Sequence, residues 1–101
     1  MSTFVTIWKY KVKSEKKTEF EELYGNEGDW VKLFKKFPGY IKTDLIKDLN
    51  NNDTYLTLDY WVSREAYHNF KQKSVNEFSI TDKKGEELTL EEKHLGEFIA
   101  V

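Results

Sequence analysis

The chain has 101 residues, with 16 Lys+Arg against 18 Asp+Glu and a formal net charge of −2. That length suits one domain with a single core and no staples, and the near-neutral balance gives no global field favouring nucleic acid or anionic lipid. Cysteine is absent, which excludes a disulfide framework and thiolate chemistry and fits a reducing compartment.

The opening residues, Met-Ser-Thr-Phe-Val-Thr-Ile-Trp-Lys-Tyr, lack a charged region followed by a long apolar run. No window of the chain approaches the length of a membrane span, so a cytoplasmic protein without membrane attachment is expected. The unusual feature is aromatic content: three Trp, six Tyr and seven Phe. Aromatic side chains bury large areas and are over-used at pockets and interfaces, so they imply more surface to cover than one monomer's core requires.

Phe4 to Val12 alternates as a strand, with Phe4, Thr6, Trp8, Tyr10 and Val12 on one face and Val5, Ile7, Lys9 and Lys11 on the other. Ser14 reads as the cap of a helix carrying Phe20, Leu23 and Tyr24, which Gly25 or Gly28 breaks or bends. Trp30, Val31, Leu33, Phe34 and Phe37 resume helical spacing until Pro38-Gly39. Tyr40 to Leu49 is a second, less regular strand. Asn50-Asn51-Asn52-Asp53 then makes a tight polar connection to a third strand, Thr54 to Val62, so the two should form an antiparallel hairpin. Ser63 suits the N-cap of the next helix: its oxygen can accept from first-turn amides, Glu65 suits the helix dipole, and Ala66 and Phe70 fall four apart. Val75 to Glu87 reads as an irregular helical segment. Thr89 with Glu92 resembles a capping box for a short turn, and Leu95 to Val101 is the last strand.

This order, β-α-β-β-α-β, predicts an α+β fold: a ferredoxin-like antiparallel sheet with its helices on one face. The other face is left bare. Trp8, Tyr10, Tyr40, Ile46 and Tyr60 cannot all lie under the helices, so a second copy is expected to cover the surplus, the two sheets closing into a dimeric α+β barrel. RNA-recognition modules share the element order. Tyr55-Leu-Thr-Leu-Asp-Tyr-Trp61 lacks their basic-Gly-aromatic pattern, and the charge is negative, so nucleic acid is not an expected partner.

The residues Trp61-Val-Ser-Arg-Glu-Ala-Tyr67 fit a Trp-x-Ser-x-x-Ala-Tyr/Phe strand-to-helix junction. Together with Pro38-Gly39-Tyr40 and Leu95-Gly96-Glu97-Phe98, they make the whole chain resemble an antibiotic biosynthesis monooxygenase domain of the dimeric α+β barrel superfamily. Tyr24-Gly25-Asn26-Glu27-Gly28-Asp29-Trp30 is similar to a sub-group mostly without known activity. The resemblance implies substrate deprotonation followed by reaction of the carbanion with molecular oxygen, using neither metal, flavin nor haem, on a small aromatic molecule. In such enzymes an Asn four residues before the Trp, the Trp itself, and a Tyr six residues after it line the pocket. Trp61 and Tyr67 match. Thr57 stands where the Asn would be, with one donor on a shorter arm. The haem-degrading branch also needs a His near the end of the second helix, where Ser74-Val-Asn-Glu-Phe-Ser-Ile80 has none, so haem is not expected.

The expected site therefore places Trp61, Tyr67 and Asp59 in catalytic roles and Thr57, Trp8, Tyr40 and His68 in contact with substrate. Asp59 shares a strand face with Thr57 and Trp61; lining an apolar cavity would raise its pKa and make it a base, whereas pairing with a strand-one Lys or lying at a solvated edge would not. Trp61 and Tyr67 are equally consistent with plain core packing, and His68 with a solvent-facing position. Two histidines without a carboxylate cluster make no metal site. A non-catalytic, dimeric ligand-binding or stress-response protein with the same pocket is the rival expectation.

Overall fold

The computed structural model describes residues 3–101. Four strands, β1 (Phe4–Val12), β2 (Tyr40–Lys47), β3 (Thr54–Trp61) and β4 (Thr89–Ile99), form one antiparallel sheet in the order β2-β3-β1-β4. This is the expected α+β, ferredoxin-like arrangement. A 3₁₀ turn at Ser14–Lys16 leads into α1 (Lys17–Tyr24), followed by α2 (Asp29–Phe34), α3 (Arg64–Lys73) and α4 (Val75–Glu86).

Three local readings are corrected. Ser14 does not cap a helix; its Oγ donates to Asp53 Oδ2 at 2.7 Å, tying the 3₁₀ turn to the β2-β3 hairpin, where Asp53 takes a φ of 65°. Val75–Glu86 is a regular helix. It packs because Gly85 leaves room for Tyr24 Oη, whose position a Cβ would occupy. Thr89 opens β4 rather than capping a turn, so the last strand is longer than its sequence suggested. The Ser63 cap is as expected: Ala66 N–H donates to Ser63 Oγ at 3.1 Å.

Pairing fixes which side chains share a face. Phe4 opposes Trp61, Thr6 opposes Asp59, Trp8 opposes Thr57 and Tyr10 opposes Tyr55, all beneath the helices. Val5, Ile7, Leu56, Leu58 and Tyr60 point the other way, joined by Ile46 from β2 and Phe98 from β4. Trp8, Tyr10 and Tyr40 are thus not part of the uncovered surplus, whereas Ile46 and Tyr60 are. In β4 the register shifts between Ile7 and Trp8, leaving Leu95 as an extra residue beside Gly96, whose φ of 150° few side chains tolerate. This bulge keeps His94 and Glu97 on the helix-covered face although they are three positions apart, an offset that plain alternation would place on opposite faces.

The core is an aromatic cluster. Trp61 is 0% exposed and meets Phe34, Tyr40 and Tyr67 edge-on and Phe70 at a tilt, with centroids 5.3 to 5.8 Å apart. A second knot, Tyr10, Phe20, Tyr24 and Tyr55, closes the far end.

Candidate active site

Between these two knots the sheet carries short side chains around Asp59, with Trp8 beside them. On its covered face β3 reads Tyr55, Thr57, Asp59, Trp61; Asp59 is flanked by Thr6 on β1 and Thr43 on β2, and Thr57 by Trp8 and Leu45. Four short polar residues stand where rings would otherwise fill the space, and a cavity of about 220 Å³ results. Its floor is Trp8, Tyr10, Thr43, Thr57 and Asp59, with Glu92 from β4 at the margin; its roof is Tyr24, Trp30, Phe34, Tyr67 and Phe70, with Lys71, Phe78 and Asp82. Small-molecule sites usually measure roughly 300–1,000 Å³, so the room here suits a small planar ligand rather than an extended one.

Asp59 is the chemically distinctive group. It is 8% exposed, and burial lifts its carboxyl from 3.8 to about 7, opposed by a hydrogen bond from Thr43 Oγ1 at 2.7 Å. No ion pair involves it among the described residues. Since the Thr43 proton goes to Asp59, Tyr40 Oη, 2.8 Å from Thr43 Oγ1, donates in turn to Thr43. The result is a chain of two hydroxyls behind the carboxylate. A carboxyl that ionises near neutral pH, faces an apolar cavity and is held in place can serve as a general base.

The phenols are poor bases but good donors. Burial first, then Asp59 and Glu97, push Tyr67 up to about 12, against a hydrogen bond from Thr6. Burial likewise raises Tyr10 and Tyr24, and Glu92 adds to the effect on both. All three stay protonated at neutral pH, with O–H groups available to a ligand carbonyl or oxyanion. Trp30 Nε1, buried without a partner, belongs to another residue of the lining.

Of the residues expected from sequence, Trp8, Thr57, Asp59 and Tyr67 line the cavity together. Trp61 does not: its indole is sealed behind the wall, with Nε1 buried and unpartnered. Tyr40 reaches the site only through Thr43. His68 is exposed and does not line the cavity. His94, absent from the expected site, stacks on Trp8 with centroids 4.4 Å apart and bonds Thr6 Oγ1 at 2.9 Å; the Leu95 bulge hides this from any simple alternation. Lys71, Asp82 and Glu92 were also missed, although Phe78 and Asp82 lie one helical turn apart and so share a face. No group of three metal-ligating side chains is present among the described residues, and no described helix is long and apolar enough to cross a membrane.

A ferredoxin-like sheet roofed by helices over an aromatic chamber defines a class of small α+β proteins. Within that class the profile for "Antibiotic biosynthesis monooxygenase" matches residues 3–75, and the chain belongs to that family. No curated protein matches it in sequence. Among solved structures it is similar to SnoaB, a cofactor-independent oxygenase from Streptomyces nogalater, at 17% identity and a TM-score of 0.80, covering 100% of this chain and 95% of that one. A candidate antibiotic biosynthesis monooxygenase from Caulobacter crescentus gives 17% identity, 0.79, and 99% and 91% coverage. A conserved protein from Methanosarcina mazei gives 18%, 0.69, and 99% and 92%. At these identities the likeness establishes the fold.

Proposed function

We propose that the protein is a cofactor-independent monooxygenase of small aromatic or quinone-like molecules, with Asp59 as base and molecular oxygen as co-substrate. The observation that carries this reading is Asp59 itself: a carboxyl without an ion-pair partner among the described residues, beneath a wall of rings and titrating at about 7. Family membership and the shared fold with an oxygenase support the reaction class. A ring-flanked CH₂ gives one proton to Asp59, and the carbanion passes electrons to O₂ and forms a C–O bond. Asp59 returns the proton to the peroxide; loss of the second C–H proton then breaks the O–O bond, leaving C=O on carbon and water. One CH₂ and one O₂ become one carbonyl and one water. Tyr67, protonated throughout, donates to the developing oxyanion, and Trp8 forms part of the slot.

Aerobic and anaerobic incubation with an anthrone or a quinol tests this. Oxygen-dependent turnover, rising through pH 7 as Asp59 ionises and lost in Asp59→Asn, is expected; turnover indifferent to oxygen sinks it. A second reading, a non-catalytic ligand-binding protein, is favoured by Thr57 in the Asn position and by Trp61 lying off the cavity. Abolition of an oxygen-dependent activity by Tyr67→Phe removes that reading. The working unit we propose is a cytoplasmic homodimer whose second copy covers Ile7, Leu58, Tyr60 and Phe98.

A further inference from the structure

The charges around the cavity do not balance. Asp59, Asp82 and Glu92 face it against a single ammonium, Lys71, and none of the four is in an ion pair among the described residues. Partial burial, Asp82 and Glu86 hold Glu92 above its ordinary value. Eight aromatic rings surround these groups. The faces of such rings attract positive charge, and Lys71 already uses them: its Nζ lies 5.7 Å from the centroids of both Tyr67 and Phe78, within the roughly 6 Å reach of a cation–π contact. A neutral ligand would desolvate the carboxylates further without offsetting their charge. An anionic ligand would add repulsion to both walls.

The acids also occupy two separate places. Asp59 sits opposite Thr6 on β1, and Glu92 opposite Tyr10, four residues apart, which is roughly 13 Å of strand. The groups facing Asp59 are Tyr10 from β1, Thr43 and Tyr40 from β2, Thr57 on its own strand and Tyr67 from α3, with Lys71, Asp82 and Glu92 as the charges at the margin.

We propose, resting on the assignment of this cavity as the ligand site, that its ligand is a planar aromatic cation, with a positively charged ring nitrogen or ammonium directed at Glu92 and Asp82 and its reacting C–H directed at Asp59. The charge also suits the chemistry. Deprotonating a cation leaves a neutral species, so no net negative charge has to be sheltered in a cavity where Thr57 supplies no side-chain amide. The substrate's own nitrogen does what that amide would otherwise do.

The full chain is titrated at pH 7 with 1-methylquinolinium, 1-methylnaphthalene and 1-naphthoate, following the fluorescence of Trp8 and Trp30 on the cavity wall. The quinolinium is expected to bind about tenfold more tightly than the neutral isostere, a difference of about 1.4 kcal/mol, and naphthoate most weakly. A Glu92→Gln/Asp82→Asn variant is expected to lose about fivefold for the cation and nothing for methylnaphthalene. Calorimetry in phosphate and in Tris gives a readout independent of affinity. If the cation lowers Asp59 by one unit from about 7, roughly 0.4 proton is released at pH 7; methylnaphthalene releases none. Methylnaphthalene or naphthoate binding as tightly as the quinolinium, or a cation affinity unmoved in the double variant, overturns the charge assignment alone. Binding by none of the three overturns the cavity as a ligand site, and the charge assignment with it.

Discussion

The two faces of β3 are inverted relative to the usual rule. Beneath the helices the middle of the strand carries Thr57 and Asp59, both buried, whereas the uncovered side carries Leu56, Leu58 and Tyr60. Polar groups without full partners are costly inside a protein, and contiguous apolar groups are uncommon outside one. The covered face has therefore given up packing to hold a carboxyl and a void. The uncovered face has kept apolar surface that one chain cannot use. A single strand thus carries the proposed reaction on one side and the proposed assembly on the other, alternating residue by residue.

The largest expected effect breaks the outer side. Leu58→Lys, directed at the centre of the open face, should convert the proposed dimer to a monomer with its cavity intact; light scattering at micromolar concentration reads the halved mass. A wild-type chain that already runs as a monomer would remove the assembly half of the comparison.

The next acts on the inner side through pH. Because the folded-state pKa of Asp59 is raised from 3.8 to about 7, the folded protein holds a proton that the unfolded chain releases. The stability contributed by the neutral carboxyl is present below about pH 4 and is lost as pH rises towards 7. Asp59→Asn, which stays neutral and can still accept from Thr43, should therefore be more stable than the wild type at pH 8, by up to about 4 kcal/mol, and nearly equal to it at pH 4. Denaturant midpoints at the two pH values measure this. A variant less stable at pH 8 would mean that Asp59 is not held in a low-dielectric site.

Thr43→Val is a finer probe. Loss of the 2.7 Å bond removes support from the ionised form, at a cost of about 1.5–3 kcal/mol for a bond to a charged group. The midpoint of Asp59 titration should move upward by about one to two units, and the pH–rate profile with it. The smallest effect belongs to His68→Ala, where exposure predicts a stability change within about ±0.5 kcal/mol and no change in turnover; a loss of activity there would place a functional group outside the cavity.

Much of this fold was legible in the sequence because strand alternation and helix punctuation are strong local signals. Phe4 to Val12, the Asn-rich hairpin and the Ser63 cap all stand where their residues put them. Misreadings arose where a tertiary partner decided the outcome. Ser14 bonds Asp53 instead of capping, and α4 is regular because Gly85 accepts Tyr24. The site divides the same way. Trp8, Thr57, Asp59 and Tyr67 could be placed by the period of a strand and one turn of helix. The displacement of Trp61 from the cavity could not, because it depends on Phe34, Tyr40 and Phe70 closing around the indole. The charged margin was missed because Lys71, Asp82 and Glu92 come from three elements that meet only in space.

The extra residue at Leu95 also makes β4 editable. Ile7 faces Gly96 and Trp8 faces His94, so excising Leu95 would join two segments already in step. Every side chain before and after the cut would keep its present orientation. This is a position where the strand can be shortened by one amino acid without exchanging its interior and exterior. Relatives that differ by a single deletion there can therefore preserve the same chamber wall.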